Sequence, residues 1–265
     1  MSGIFVAMGR ASVAAFLSLA LLGLTRAPRP QREQWFPIGM TALGVVFGFP
    51  LLTSMAMRHL ESVHASVMLG ILPLATAAIG AVLNKQRPSS GFWFWALLGA
   101  ALVVLYALLH QGQASWAAGW ADIMLLLATV CAAVGYGYGA RLTSSMRAEH
   151  VICWALVVAL PLTLPLALWS WPTGAINASA WLGFAYVSVF SMWAGFFAWY
   201  RGLALGGTVR VSQVQLLQPF ISMLVSLPLL GESLDAMTVG FALAVMTSVF
   251  VGKRMPVSTP AKGQI

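Results

Sequence analysis

Nine apolar runs, each about 20 residues long, follow one another with only short polar breaks, and that succession leaves few folds open. They lie at about 3 to 25, 35 to 57, 62 to 83, 91 to 110, 119 to 141, 151 to 171, 180 to 203, 208 to 230 and 236 to 253. A helix rising 1.5 Å per residue needs about 20 apolar residues to cross a hydrocarbon layer about 30 Å thick, and each run meets that length. With 60% hydrophobic and 8% charged residues in 265, the chain is far from the roughly 25% charged share of a soluble domain. The sequence therefore predicts an all-α polytopic membrane protein with nine spans. The polar segment 256 to 265 is expected to be a disordered tail.

The breaks between the runs carry charge in alternation. Arg26, Arg29 and Arg32, then Lys85 and Arg87, Arg141 and Arg147, Arg201 and Arg210, and finally Lys253, Arg254 and Lys262 fall in every second loop, twelve of the fourteen basic residues. The opposite loops hold only Arg58, and Arg10 sits inside the first run. Because Lys and Arg near span ends favour the cytoplasm, this sorting predicts a multi-pass protein of the cytoplasmic (inner) membrane with its C-terminus inside and its N-terminus outside. The first run is expected to be a span and not a signal peptide, since Arg26, Arg29 and Arg32 hold its end inside and no small-x-small cleavage site precedes them. The net charge of +8 is spread over these loops instead of lying along one face, which argues against nucleic-acid binding. Cys131 and Cys153 lie within apolar runs and have no spacing suited to a metal or a disulfide framework.

An internal repeat is visible. Met57-Arg58-His59-Leu60 corresponds to Tyr200-Arg201-Gly202-Leu203, and the segment around Pro73 corresponds to the segment around Pro219. The charge rule puts the Arg58 end outside and the Arg201 end inside, so the copies are inverted in the membrane. The expected division is a first repeat over 1 to 112, a second over 113 to 255 and a tail over 256 to 265.

In this order and spacing the features resemble those of the EamA-type branch of the drug/metabolite transporter superfamily. They are the Arg10 span, Arg58-His59-Leu60, the small-residue-rich Pro73 span, Arg87-Pro88, Tyr200-Arg201, Gly206 to Ser212, Pro219 and Gly231-Glu232. The resemblance covers about residues 5 to 253. It implies two inverted repeats of about five helices and a further helix before the Arg10 span, so that Met1 is expected to be an internal start. A second departure is Lys85-Gln86, which stands where such proteins usually carry Gly-Glu.

Polar groups inside spans are costly enough to be candidates for function. Gln215 and Gln218 follow helical spacing on one face with Val211 and Ser222, beside Pro219, and two amides can bind a zwitterion without burying net charge. They serve equally well as bridges between helices. Arg10 reads as a cavity residue that attracts a carboxylate or as a snorkelling interfacial anchor. Asp122 reads as a binder of ammonium or protons, or as a helix N-cap near Trp120. Tyr136, Trp193 and Tyr200 are candidates for an aromatic cavity wall, with Trp199 and Tyr200 reading alternatively as belt residues facing lipid. His64 belongs to a polar cluster with Arg58, His59 and Glu61 and is the member expected to face inward. Gly135, Gly137 and Gly139 are expected to let a neighbouring helix approach closely.

An enzyme is not expected: the sequence has no HExxH helix, no paired membrane aspartates and no G-x-S-x-G elbow, and no catalytic or metal-binding residues are assigned. No phosphate-binding loop is present for direct use of ATP, and no cofactor is expected. A filter motif or charged pore series for a channel is also missing. What remains is an exporter of small amphipathic or zwitterionic metabolites, such as amino acids, working by alternating access. Its partners are the solute and the lipid bilayer, with a homodimer as a compatible assembly. A non-transporting scaffold, a truncated, inactive carrier and an intramembrane enzyme are the alternatives.

Overall fold

The computed structural model of the protein describes residues 1–60, 65, 68–111, 119–221, 224 and 236–258. Among these residues nine helices follow in order: α1 (Gly3–Leu24), α2 (Arg32–Ala56), α3 (Leu72–Leu83), α4 (Ser90–Gln111), α5 (Trp120–Leu142), α6 (Ala148–Trp169), α7 (Ala178–Gly206), α8, and α9 (Ala236–Gly252). Helix α8 opens as Thr208–Ser212 and tightens to a 3₁₀ stretch over Gln213–Leu217. Helices α1, α2, α5, α6 and α7 are each long and apolar enough to cross a membrane, while Leu72–Leu83, the Ser90–Tyr106 part of α4 and Ala236–Gly252 are shorter apolar stretches.

The helices pair across an internal two-fold. Helix α1 lies along α6, α4 along α9, and α3 against α8; α2 crosses α6 just as α7 crosses α1. The α1–α6 contact shows why. Ala11, Ala14 and Ala15 on one helix and Ala155 and Ala159 on the other are buried, so the backbones approach closely, and Ser12 Oγ bonds Thr163 Oγ1 at 3.2 Å between them. At the α4–α9 contact the same job falls to Ala100, Val103, Val245 and Val249, with the Tyr106 hydroxyl 3.0 Å from Thr238 Oγ1.

Helices α2 and α7, equivalent under this symmetry, share an irregularity. Each widens to a π-helical stretch at mid-length, Ala42–Gly48 in α2 and Val187–Ala194 in α7. Such insertions shift the backbone hydrogen-bond register and concentrate at functional positions.

Helix α5 fits against α2 and α3 through the alternating glycines. Gly135 meets Val45 and the backbone of Gly44, Gly137 meets Ile79 and Leu83, and Gly139 meets the ring of Tyr200. These contacts accord with the close approach expected of the three glycines. Among the described residues the first half has no counterpart of α5. Helix α7 is little covered: only 11% of its apolar window is buried, against 44–50% in the other four long helices.

The start of the polar tail, residues 256 to 258, departs from the expected disorder, and residues 259 to 265 lie outside the described residues. Val257–Ser258 (β2) pairs antiparallel with Arg87–Pro88 (β1), Arg87 opposite Ser258, and Ser89 N–H donates to Pro256 O at 3.0 Å. Arg210 at the start of α8 reaches Met255 O at 3.4 Å. A polar composition weakens burial, but unpaired backbone donors beside the tail offer it a partner. Gln34 Nε2 bonds Ser145 Oγ at 2.9 Å, joining the α1–α2 and α5–α6 turns in the same way.

Candidate functional site

Where α1, α2, α5, α7 and α8 meet, they enclose a cavity of about 540 Å³. Arg10 enters from α1, Val45 and Phe49 from α2, Tyr136 from α5, Ser191, Phe196 and Trp199 from α7, and Gln215 and Gln218 from α8. A second cavity of about 280 Å³ adjoins it and shares Phe49, Leu72, Gln215 and Gln218, continuing past Leu69, Pro73, Val103 and Pro219. The site therefore sits at the junction of the two halves.

Local structure explains how the glutamines reach it together. In a 3₁₀ turn, side chains three apart stack above one another. The tightening over Gln213–Leu217 thus aligns Gln215 with Gln218, just before Pro219. The equivalent positions before Pro73 are Leu69 and Leu72. Two symmetry-related broken segments consequently face each other with opposite character, amides on one and aliphatic groups on the other.

Three residues that line the larger cavity carry unmatched polar atoms. Arg10 Nε, Gln215 Oε1 and Trp199 Nε1 are all buried without a hydrogen-bond partner among the described residues. Buried polar groups are satisfied in the great majority of cases, because desolvation without a partner costs roughly 1–3 kcal/mol. Among the described residues no carboxylate lines the cavity, and the ion pair found is Arg147–Glu149, far along the chain from Arg10. Two donors and one acceptor on lining residues are thus unmatched, beside one guanidinium. Tyr136 stands close to both Arg10 and Gln215, and its ring lies 5.4 Å from that of Trp199 and 6.3 Å from that of Phe196.

The structure gathers Arg10, Tyr136, Gln215 and Gln218 into one place. It puts the other sequence candidates elsewhere. Tyr200 is fully buried beyond the cavity wall, its hydroxyl donating to Gly135 O at 3.3 Å, so it fastens α7 to α5. Trp193 packs edge-on to Phe197 with centroids 4.9 Å apart, in the core around α6. Asp122 accepts the Gly119 N–H at 2.9 Å in the first turn of α5, the geometry of an N-terminal cap. His64, Glu61, Ser222, Gly231 and Glu232 lie outside the described residues.

Phe49 and Phe196 line the cavity but look like ordinary span residues in the sequence; each lies just after a π-helical stretch. Gln213 is buried and donates from Nε2 to Pro73 O at 3.3 Å, tying α8 to the break in α3. An amide inside an apolar run was the available signal.

Two repeats of membrane helices closing on a shared interior cavity define a polytopic carrier. The comparisons carry that class to a family: the EamA-like transporter family matches residues 1–110 and 119–252, and the chain belongs to it. It is a membrane transporter and not an enzyme. It is similar to the uncharacterized transporter YdeK of Bacillus subtilis (strain 168), 41% identical over 253 residues that cover 95% of this chain and 87% of that protein. A solved structure titled "Crystal structure of protein" superposes with a TM-score of 0.75 at 16% identity, covering 96% of this chain and 89% of that one, a likeness of fold.

Proposed function

We propose that the protein exports a small amphipathic or zwitterionic metabolite bearing a carboxylate, an amino acid or a close relative, across the cytoplasmic membrane. The observation that carries this reading is the unpaired, buried edge of Arg10 in a cavity whose described wall holds no carboxylate. A solute carboxylate meets Arg10 and the Trp199 N–H, an ammonium group meets the Gln215 carbonyl, and an apolar side chain lies among Tyr136, Phe196 and Phe49. A phosphorylated solute would call for several cations, and among the described residues Arg10 is the single cation on this wall.

Movement follows from the symmetry. Rocking of one repeat against the other around the cavity opens it to each side in turn, with the π-helical stretches of α2 and α7 as the places where the backbone gives. The charge sorting supports a cytoplasmic C-terminus, since the basic loops touch one another at one end of the bundle through the β1–β2 pair and the Gln34–Ser145 bond. The first repeat ends near residue 112 and the second near residue 255 on this reading.

The sparse cover of α7 favours a working form in which one more transmembrane helix seats against α7 and α8, as α5 seats against α2 and α3. Efflux from cells expressing the chain, with and without an added N-terminal helix, against a panel of amino acids and toxic analogues, tests both readings. Export of a panel member that Arg10→Gln weakens at sub-saturating solute, with the protein still inserted, is the expected result. Export that Arg10→Gln leaves intact overturns the carboxylate assignment, and equal export in both forms overturns the need for the added helix.

A further inference from the structure

A third cavity, of about 250 Å³, lies away from the central site, between the α1–α2 turn and the start of α6. Arg29, Gln31 and Gln34 form one side; Arg147, His150 and Trp154 form the other. His150 lines this cavity and is only 5% exposed, and its Nε2 is buried with no hydrogen-bond partner among the described residues. An imidazole held in that state is an unused donor or acceptor, and the desolvation is offset only when something enters to meet it. The two arginines beside it are exposed, and Arg147 has a counter-charge in Glu149. This end of the bundle also carries Arg26, Arg32 and Arg141, so its field is positive.

The cavity is not purely polar. Met146 and Trp154 line it, and the indole of Trp154 meets that of the exposed Trp35 edge-on at 6.3 Å, which places an aromatic wall next to the basic rim. A site with cations and a ring nitrogen on one side and aromatic surface on the other, at the end of a helix pair, matches the head and first acyl carbons of an anionic lipid.

We propose that this cavity binds a phosphate-bearing anion, supplied by the head group of an anionic phospholipid, with Arg29 and Arg147 on the phosphate oxygens and His150 Nε2 donating to one of them. The site spans both repeats, because Gln34 of the first and Ser145 of the second are already bonded beside it. A bound lipid therefore clamps the two turns together at the basic end of the bundle. This assignment is independent of the solute carried by the central cavity.

The test uses the full chain purified in detergent, with phosphatidylglycerol, phosphatidylcholine or inorganic phosphate added, read by native mass spectrometry and by the thermal unfolding midpoint. Phosphatidylglycerol is expected to stay bound and raise the midpoint where phosphatidylcholine does not. Arg29→Gln and Arg147→Gln should each weaken its retention about five-fold, the scale of one basic residue at an anionic surface. His150→Gln keeps a hydrogen-bonding group and is expected to weaken it less; because His150 is buried, the exposed arginine variants decide the outcome if that variant misfolds. Stabilisation by inorganic phosphate alone, with phosphatidylglycerol retention unchanged in the arginine variants, would overturn the lipid as the source and leave a free phosphate in the site. Equal behaviour of wild type and both arginine variants toward every additive would overturn the site altogether.

Discussion

Gly48 in α2 and Gly195 in α7 meet the same obstacle: a Cβ on Gly48 would lie 2.7 Å from Leu43 O, and one on Gly195 would lie 2.6 Å from Phe190 O, in each case the carbonyl five residues earlier. That carbonyl is the one displaced by the π-helical stretch, so the missing side chain is what lets the wide turn close. Gly48→Ala and Gly195→Ala are each expected to destabilise the protein by about 1–3 kcal/mol, the usual result of forcing an extra methyl into a packed position. Thermal unfolding in detergent measures this. Midpoints unchanged in both variants would mean that the wide turns do not depend on glycine.

Arg10→Gln should raise the apparent KM for a carboxylate solute about ten- to a hundred-fold, since a hydrogen bond to a charged group contributes roughly 1.5–3 kcal/mol. Arg10→Lys should recover part of the loss, as it restores charge without the fork of donors. Concentration series of efflux in proteoliposomes would show it, and a KM that stays the same in Arg10→Gln would remove Arg10 from the site.

Tyr200→Phe removes the bond to Gly135 O and is expected to lower stability by about 1 kcal/mol while leaving the KM where it was. Gly139→Val pushes against the same ring and should cost more, because the ring is fully enclosed. A KM shift in Tyr200→Phe at unchanged stability would instead give Tyr200 a part in binding.

Lys85 closes α3 at φ +51°, with Gln86 N–H on Ala81 O at 2.8 Å, a helix-ending turn in which glycine carries no steric penalty. Lys85→Gly should raise stability by about 1 kcal/mol. Chemical or thermal unfolding of the purified variant is the check, and a lower midpoint would show that the lysine side chain stabilises this end by more than the strained backbone costs.

Single cysteines at Ser144 and Arg254, introduced after Cys131 and Cys153 are replaced by alanine, should react with an impermeant thiol reagent only in opened cells, and one at Gly174 in intact cells. The reverse pattern would place the C-terminus outside.

Much of this architecture was legible from the chain alone. The apolar runs locate α1, α2, α4, α5, α6, α7 and α9 within a few residues, because hydropathy acts on each segment separately. Gln215 and Gln218 were legible as a pair for the same local reason. Arg10 was ambiguous: five or so residues into a run, it could reach the interface or the interior, and only its neighbours α5 and α8 decide. Tyr200 looked like a belt residue or a cavity wall and is neither, since Gly139 leaves it a socket on another helix.

The sequence by itself determined that this chain lives in a membrane, how often it turns back, and that its halves are copies, since those properties follow from the hydrophobicity and spacing of contiguous residues. The tertiary structure alone decided which polar groups share the interior and which are spent on packing. Small-residue faces such as Ala11, Ala14 and Ala15 against Ala155 and Ala159 set how closely the helices approach, and the π-helical and 3₁₀ stretches set which way their side chains turn. Neither quantity is carried by any one segment, because both depend on contact between helices distant in the chain.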